Sequence, residues 1–217
     1  MTDNATQITE RLASSETGME PWLWLPLMRL LAQGDPVDIE DLAATTGRPV
    51  DEIRSALAAM ADTEYDGSGR IIGQGLTQRA TQHRFEIDGE QLYTWCALDT
   101  LIFPTILGTS AVIESRYRTG TPVRVTVDSS GVHSVEPPTA VVSLVAPDDM
   151  SSVRSSFCNQ VHFFATPEEA EPWLKNHEGG SVISVADAFA LGASMAENML
   201  AETAADRSSD DPPHSCC

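Results

Sequence analysis

The stretch Pro49-Val50-Asp51-Glu52-Ile53-Arg54-Ser55-Ala56-Leu57-Ala58-Ala59-Met60 decides the fold of the N-terminal part of the chain. Val50, Ile53, Leu57 and Met60 recur at helical spacing, so the segment reads as a helix with one apolar face. Just upstream, Val37 to Ala43 reads as a short helix stopped at Gly47. Further upstream, Pro21 to Leu31 is a strongly apolar helix ended by Gly34 and Pro36. Pro21 suits its first turn, and Pro26 either kinks or restarts it. Residues 1–18 read as a helix or a loose arm. Downstream, Asp66-Gly67-Ser68-Gly69 is a turn, and Arg70-Ile71-Ile72-Gly73 and Gln82 to Ile87 are strands. Three helices followed by a hairpin form a winged-helix-like pattern.

Charge argues against the usual use of that pattern. The 217 residues carry 13 Lys+Arg against 32 Asp+Glu, a net of -19, and Lys175 is the sole lysine. Residues 1–80 hold six Arg and 13 acidic residues, a net of -7. Binding to phosphate needs a basic face, so nucleic acid and anionic membranes are not expected partners. A structural cap over the second half fits better. No run reaches the ~18 apolar residues of a membrane helix. The N-terminus lacks the charged start and apolar core of a signal peptide. A cytoplasmic protein is expected. Four Cys, two of them the last two residues, do not make a disulfide scaffold.

The second half changes character. Ser110 to about Arg118 is expected to be helical. Pro122 to Val127 and Val132 to Val135 are paired strands around the turn Asp128-Ser129-Ser130-Gly131. Thr139 to Val145 is apolar on both faces and so a central strand. Asp148 to Ser155 suits a short helix. Val161 to Ala165 is strand-like, with Cys158 on the connection leading into it. Pro167 to His177 is a helix, Val182 to Val185 a strand, and Val185 to about Thr203 a C-terminal helix. The expected class is α+β: a winged-helix-like helical domain (1–80), a domain of mixed antiparallel β-sheet surrounded by helices (81–205), and a disordered Cys-Cys tail (206–217).

Chemistry concentrates in Tyr93-Thr94-Trp95-Cys96-Ala97-Leu98-Asp99-Thr100-Leu101-Ile102-Phe103-Pro104. With Thr94 as N-cap, Cys96 falls in the first helical turn and Asp99 one turn on, on the same face. The positive helix end favours a thiolate, and apolar neighbours push a carboxyl pKa up towards that of a proton donor. A free Cys is otherwise a small core residue. Cys158, also flanked by an aromatic residue, can meet Cys96 across the core. Zinc needs two more ligands, for which Asp99 and His162 are available, but no C-x-x-C spacing supports a structural site. A protease-type Cys96 needs a base, and His83, His133 and His162 carry no local signature. Two thiols and one acid suit the splitting of a carbon–metal bond to a soft metal: thiolates bind the metal, and the acid supplies the proton that the departing carbon needs.

The chain resembles the organomercurial lyases (alkylmercury lyases) of bacterial mercury resistance. The resemblance is carried by Trp95-Cys96-Ala97-Leu98-Asp99-Thr100-Leu101 with Phe103-Pro104, Gly120-x-Pro122-Val123, Ala140 to Val145, and Ser156-Phe157-Cys158 with Val161 to Ala165. It implies the same α+β fold and a role in mercury detoxification. It implies that Cys96 and Cys158 bind mercury, with Asp99 handling the proton and contacting the Hg(II) product. The implied reaction is protonolysis of R–Hg⁺ to R–H and Hg²⁺. No organic cofactor is implied; free thiols support turnover, and Hg(II) passes to low-molecular-weight thiols or to mercuric reductase. The chain departs from the pattern at Tyr117, where many members of the family carry Cys, and at Asn159, where some do. His214-Ser215-Cys216-Cys217 resembles the vicinal Cys pair of mercuric reductases, so Cys216 and Cys217 are candidates for relaying Hg(II). The competing expectation is a thiol-metal binder or sensor built on a winged helix.

Overall fold

The structure is a computed structural model that describes residues 19–146, 149 and 151–209, the last eight as backbone only. The expectations for residues 1–18, for Asp148 and for Cys216 and Cys217 lie outside the described residues.

The N-terminal part opens with α1 (Pro21–Leu31), α2 (Ile39–Thr46) and α3 (Val50–Ala59). Pro21 occupies the first turn of α1, and the helix continues through Pro26. Gly47 ends α2 in the left-handed conformation at φ 71°, which a residue without Cβ adopts at low cost. Ile53, Leu57 and Met60 are buried, as the spacing requires. The short strands β1 (Glu64–Tyr65), β2 (Ile71–Gln74) and β3 (Leu76–Thr77) follow. Reciprocal bonds between Val37 and Ile71, 2.8 and 2.9 Å, tie the helical part to this wing.

The wing does not end its own sheet. Leu76 and Thr77 of β3 pair with Thr94 and Tyr93 of β5 (Glu90–Thr94), which also pairs with β4 (His83–Ile87). With β6 (Ala111–Ser115), β7 (Val123–Asp128) and β8 (Gly131–Glu136) they make one eight-stranded sheet of order β1-β2-β3-β5-β4-β6-β7-β8, antiparallel throughout. A second sheet places β9 (Val141–Leu144) between β10 (Phe163–Phe164) and β11 (Ser181–Ser184). Its central position matches the apolar residues on both faces of β9.

β6 corrects the expected helix at 110–118. Ala111, Ile113 and Ser115 are buried while Val112 and Glu114 are exposed, a period of two. Three consecutive apolar residues, Ala111 to Ile113, hide that period, because Val112 stays exposed in the folded chain.

Between Thr94 and β6 runs α4 (Ala97–Leu107), apolar on all sides, as a helix in a core must be. It packs on β4–β7 and is covered by α1 and by α7 (Val185–Ser209). Gly192 makes the α7 approach possible, since a Cβ there would lie 2.7 Å from Cγ1 of Ile102. Gly192→Leu is therefore expected to lower stability by roughly 1–3 kcal/mol, read as a shift of the urea midpoint, despite the better helix propensity of Leu. The short helix α5 (Val153–Ser156) and a 3₁₀ turn at Cys158–Gln160 precede β10, and α6 (Pro167–Asn176) covers the smaller sheet. α7 continues to Ser209, past the end expected near Thr203.

Candidate active site

The sequence expects Thr94 to cap the central helix. In the structure Thr94 is instead the last residue of β5, paired with Leu76 and His83 on either side. Its hydroxyl donates to the Cys96 carbonyl at 2.8 Å. Cys96 is itself the N-cap of α4, in extended conformation, and Asp99 stands at N3. The Asp99 amide donates to Cys96 Sγ at 3.4 Å, and Asp99 Oδ2 accepts from the Cys96 amide at 3.1 Å. This is a capping box built from Cys and Asp in place of Ser or Thr and Glu. The three-residue spacing thus serves structure and chemistry together.

Cys158 stands on the 3₁₀ turn that leads into β10 of the other sheet. The first free amide of α4, on Ala97, donates to the Val161 carbonyl at 3.1 Å. That bond satisfies an otherwise orphaned helix donor and binds the Cys158 turn beside the Cys96 cap. The Cys158 carbonyl in turn accepts from the Val161 amide at 3.2 Å. Cys96, Asp99 and Cys158 meet: their sulfur and carboxylate ligand atoms all lie within 4.8 Å of one another. No other group of three His, Cys, Asp or Glu that could hold a metal occurs among the described residues. Both thiols are free and buried, and Asp99 is partly buried.

Burial dominates the electrostatics. Loss of solvation pushes the Asp99 carboxyl up to about 7, against hydrogen bonds from the Cys96 and Trp95 backbone that favour the ionised form. Burial raises the Cys96 thiol well above its ordinary value, reinforced by its hydrogen bond to Cys158 and by the charge of Asp99. The expected helix-stabilised thiolate at Cys96 is therefore overridden: one helix terminus does not offset a dry site beside a carboxylate. Cys158 receives the Cys96 hydrogen bond, which favours its thiolate, but burial and the charges of Asp99 and Asp62 together leave it raised too. The positive charge of Arg154 opposes them. At neutral pH the site holds two neutral thiols and a carboxyl balanced between its forms. It can accept a soft, thiol-seeking cation and move one proton.

None of the three candidate histidine bases joins this group. His83 is buried between Ser115, 2.9 Å from its Nδ1, and the stacked ring of His162, 6.2 Å away. Burial depresses His83 to about 3, helped by the charge of His162, and depresses His162 to about 4. His162 packs on Tyr117, with 4.4 Å between centroids. A zinc set including His162 is therefore not assembled. His133 lies on the surface, 2.6 Å from Asp128. Sequence reasoning missed Arg154, whose guanidinium lies over the Trp95 ring at 4.9 Å. Its only signal was one cation in the serine-rich run Ser151 to Ser156.

Among the described residues no helix is long and apolar enough to cross a membrane. A family model described as alkylmercury lyase matches residues 76–197, and one described as the helix-turn-helix domain of alkylmercury lyase matches residues 3–75. The chain is 52% identical over 223 residues to an alkylmercury lyase of Streptomyces lividans, with all of both chains aligned. It is 55% identical over 172 residues to one of Bacillus cereus, 79% of each chain, and 43% identical over 199 residues to one of Pseudomonas putida, 91% of this chain and 94% of that one. Among solved structures, the mercury-bound form of MerB2 superposes with a TM-score of 0.72 at 23% identity, over 91% of this chain and 100% of that chain, a likeness of fold.

Proposed function

Because the chain belongs to the alkylmercury lyase family, we propose that it cleaves carbon–mercury bonds by protonolysis, with Cys96 and Cys158 binding mercury and Asp99 carrying the proton. The observation that carries this reading is the convergence of two buried sulfurs and one carboxylate within 4.8 Å.

The chemistry follows from what each group can do. Both thiols are protonated at rest, so mercury must displace protons as it binds them. Asp99, with a pKa near 7, is the adjacent base that takes one of these protons, and the other leaves to solvent. With two soft thiolates on the metal, electron density on mercury rises and the carbon–mercury bond weakens. The bonding pair leaves with carbon, and protonated Asp99 supplies the proton. The balance is R–Hg⁺ plus H⁺ giving R–H plus Hg²⁺. Burial excludes water and strengthens the electrostatic interactions that hold this arrangement. Hg(II) then remains on Cys96 and Cys158, with an Asp99 oxygen in reach. It passes to competing thiols, either small molecules or those of a reductase that consumes Hg(II). Nothing in this sequence of steps calls for an organic cofactor.

The test is incubation of the protein with phenylmercury and excess thiol. Benzene should appear with turnover; Hg(II) binding with no benzene would reduce the protein to a metal binder.

A further inference from the structure

Resting on the two-thiol reading above, we propose that Asp62, Glu64 and Arg154 form a clamp that fixes the span between Cys96 and Cys158, with Asp62 and Glu64 as positioning residues supplied by the winged-helix part. Arg154 touches both thiol-bearing segments. Its guanidinium lies over Trp95, the neighbour of Cys96, at 4.9 Å. Its backbone belongs to α5, one turn before the turn that carries Cys158.

Two carboxylates from far away in sequence hold this arginine. Glu64 is 7% exposed and pairs with the Arg154 guanidinium while accepting from the Thr77 hydroxyl. Gly73 leaves the room for that carboxylate, since a Cβ there would lie 2.3 Å from Glu64 Oε2. Asp62 takes the backbone. It accepts from Ser152 Oγ at 2.8 and 3.1 Å and from the Arg154 amide at 3.2 Å, pinning the start of α5. Asp62 itself sits at φ 68°, a left-handed conformation that costs a residue with a Cβ and persists only where surrounding contacts impose it.

Stability is a poor reason for this arrangement. Glu64 is buried but the Arg154 side chain is 32% exposed, and an ion pair of this kind contributes little net stability, its best-attested use being to fix register. Here the register is that of one thiol against another. The outer contacts of a metal site orient its ligands in this way. The winged-helix part, whose charge is wrong for nucleic acid, thereby acquires a role in the active site: its last turn and its wing hold the Cys158 arm against the Cys96 cap.

The span is read with phenylarsine oxide, whose trivalent arsenic needs two thiols at once and involves no carbon–metal cleavage. Glu64→Gln and Arg154→Lys should each release the arsenical to a competing dithiol about tenfold faster than the wild-type chain. For phenylmercury, kcat should fall more than KM rises, and Glu64→Asp should restore part of the loss. Combining Glu64→Gln with Arg154→Met should be no worse than Arg154→Met alone, because the pair acts as a unit. Wild-type arsenical retention in Glu64→Gln and Arg154→Lys overturns the clamp. If Glu64→Gln does not fold, the double variant carries the test, and wild-type retention there overturns the proposal equally. Weakened arsenical retention in these variants, alongside a wild-type chain that releases no benzene, would defeat the lyase reading and leave the clamp standing.

Discussion

Cys158→Ser will fold like the wild-type chain and lose hydrocarbon release by at least about a thousandfold, the scale seen when a member of a catalytic unit is removed. Serine fits the space of the buried thiol, and its hydroxyl can accept the Cys96 hydrogen bond. What it lacks is a soft donor atom that gives up its proton when a soft metal binds. Mercury would then be held by Cys96 alone, without the second thiolate that weakens the carbon–mercury bond. Cys96→Ser is the instructive companion. Cys96 is the N-cap of α4 in a capping box with Asp99, and serine is among the best N-cap residues. That variant should keep or gain stability while losing turnover just as fully. Thermal melts and benzene release measured on both variants separate the structural role from the chemical one. Turnover within tenfold of wild type in either variant would remove that thiol from the mechanism.

Asp99→Asn is expected to separate binding from cleavage. Asparagine can still accept from the Cys96 amide, so the cap survives, and two thiols remain to hold Hg(II). The proton carrier is gone, and benzene release should fall by roughly 10²–10⁴-fold, the usual scale for a general acid or base. In the wild-type chain kcat/KM should rise as pH rises through about 7, because resting Asp99 must be ionised to take the thiol proton that it later gives to carbon, and the variant should lack that rise. The same raised pKa makes a prediction about stability. Asp99 titrates near 7 when folded and near 3.8 when unfolded, so between those values the folded chain holds the extra proton. Its stability is then greatest below the unfolded value and is lost as pH rises through the folded value. Asparagine does not titrate. Urea midpoints of the two proteins should agree near pH 4 and diverge by pH 8 in favour of the variant. Equal midpoints at both pH values would show that Asp99 is ionised without penalty in the folded state. A less functional but more stable variant is the expected signature of an acid held in a dry site for catalysis.

Local readings succeeded where residue type and spacing carry the information. The three N-terminal helices follow from the buried faces of Ile53 and Leu57 and from Gly47 at the end of α2. The centrality of β9 follows from its apolar character on both faces, and the Cys96–Asp99 pairing from a three-residue spacing. The failures have physical causes. β3 and β5 were missed because β3 has only two residues, and because β5 exists through pairing with β3 and β4, not through its own propensity. That pairing extends the strand to Thr94 and moves the helix cap to Cys96. The helix expected at 110–118 is instead β6, because the segment is hydrogen-bonded to β4 on one side and β7 on the other. The thiolate expected at Cys96 failed because a helix end acts over one turn, whereas burial is set by the whole core.

The sequence by itself determined the kit: two isolated thiols in apolar settings, an acid one turn from the first, a winged-helix-like start and a surface hostile to phosphate. These depend on residue type and near neighbours along the chain. The tertiary structure alone decided that Cys158 reaches Cys96 and Asp99, through the Ala97–Val161 bond between the two sheets' segments. It alone made both thiols protonated at rest, because desolvation depends on everything packed around them. It alone brought Glu64 to Arg154 across 90 residues of chain. Contacts at that separation are set by sheet order and helix packing, to which no short stretch of residues has access.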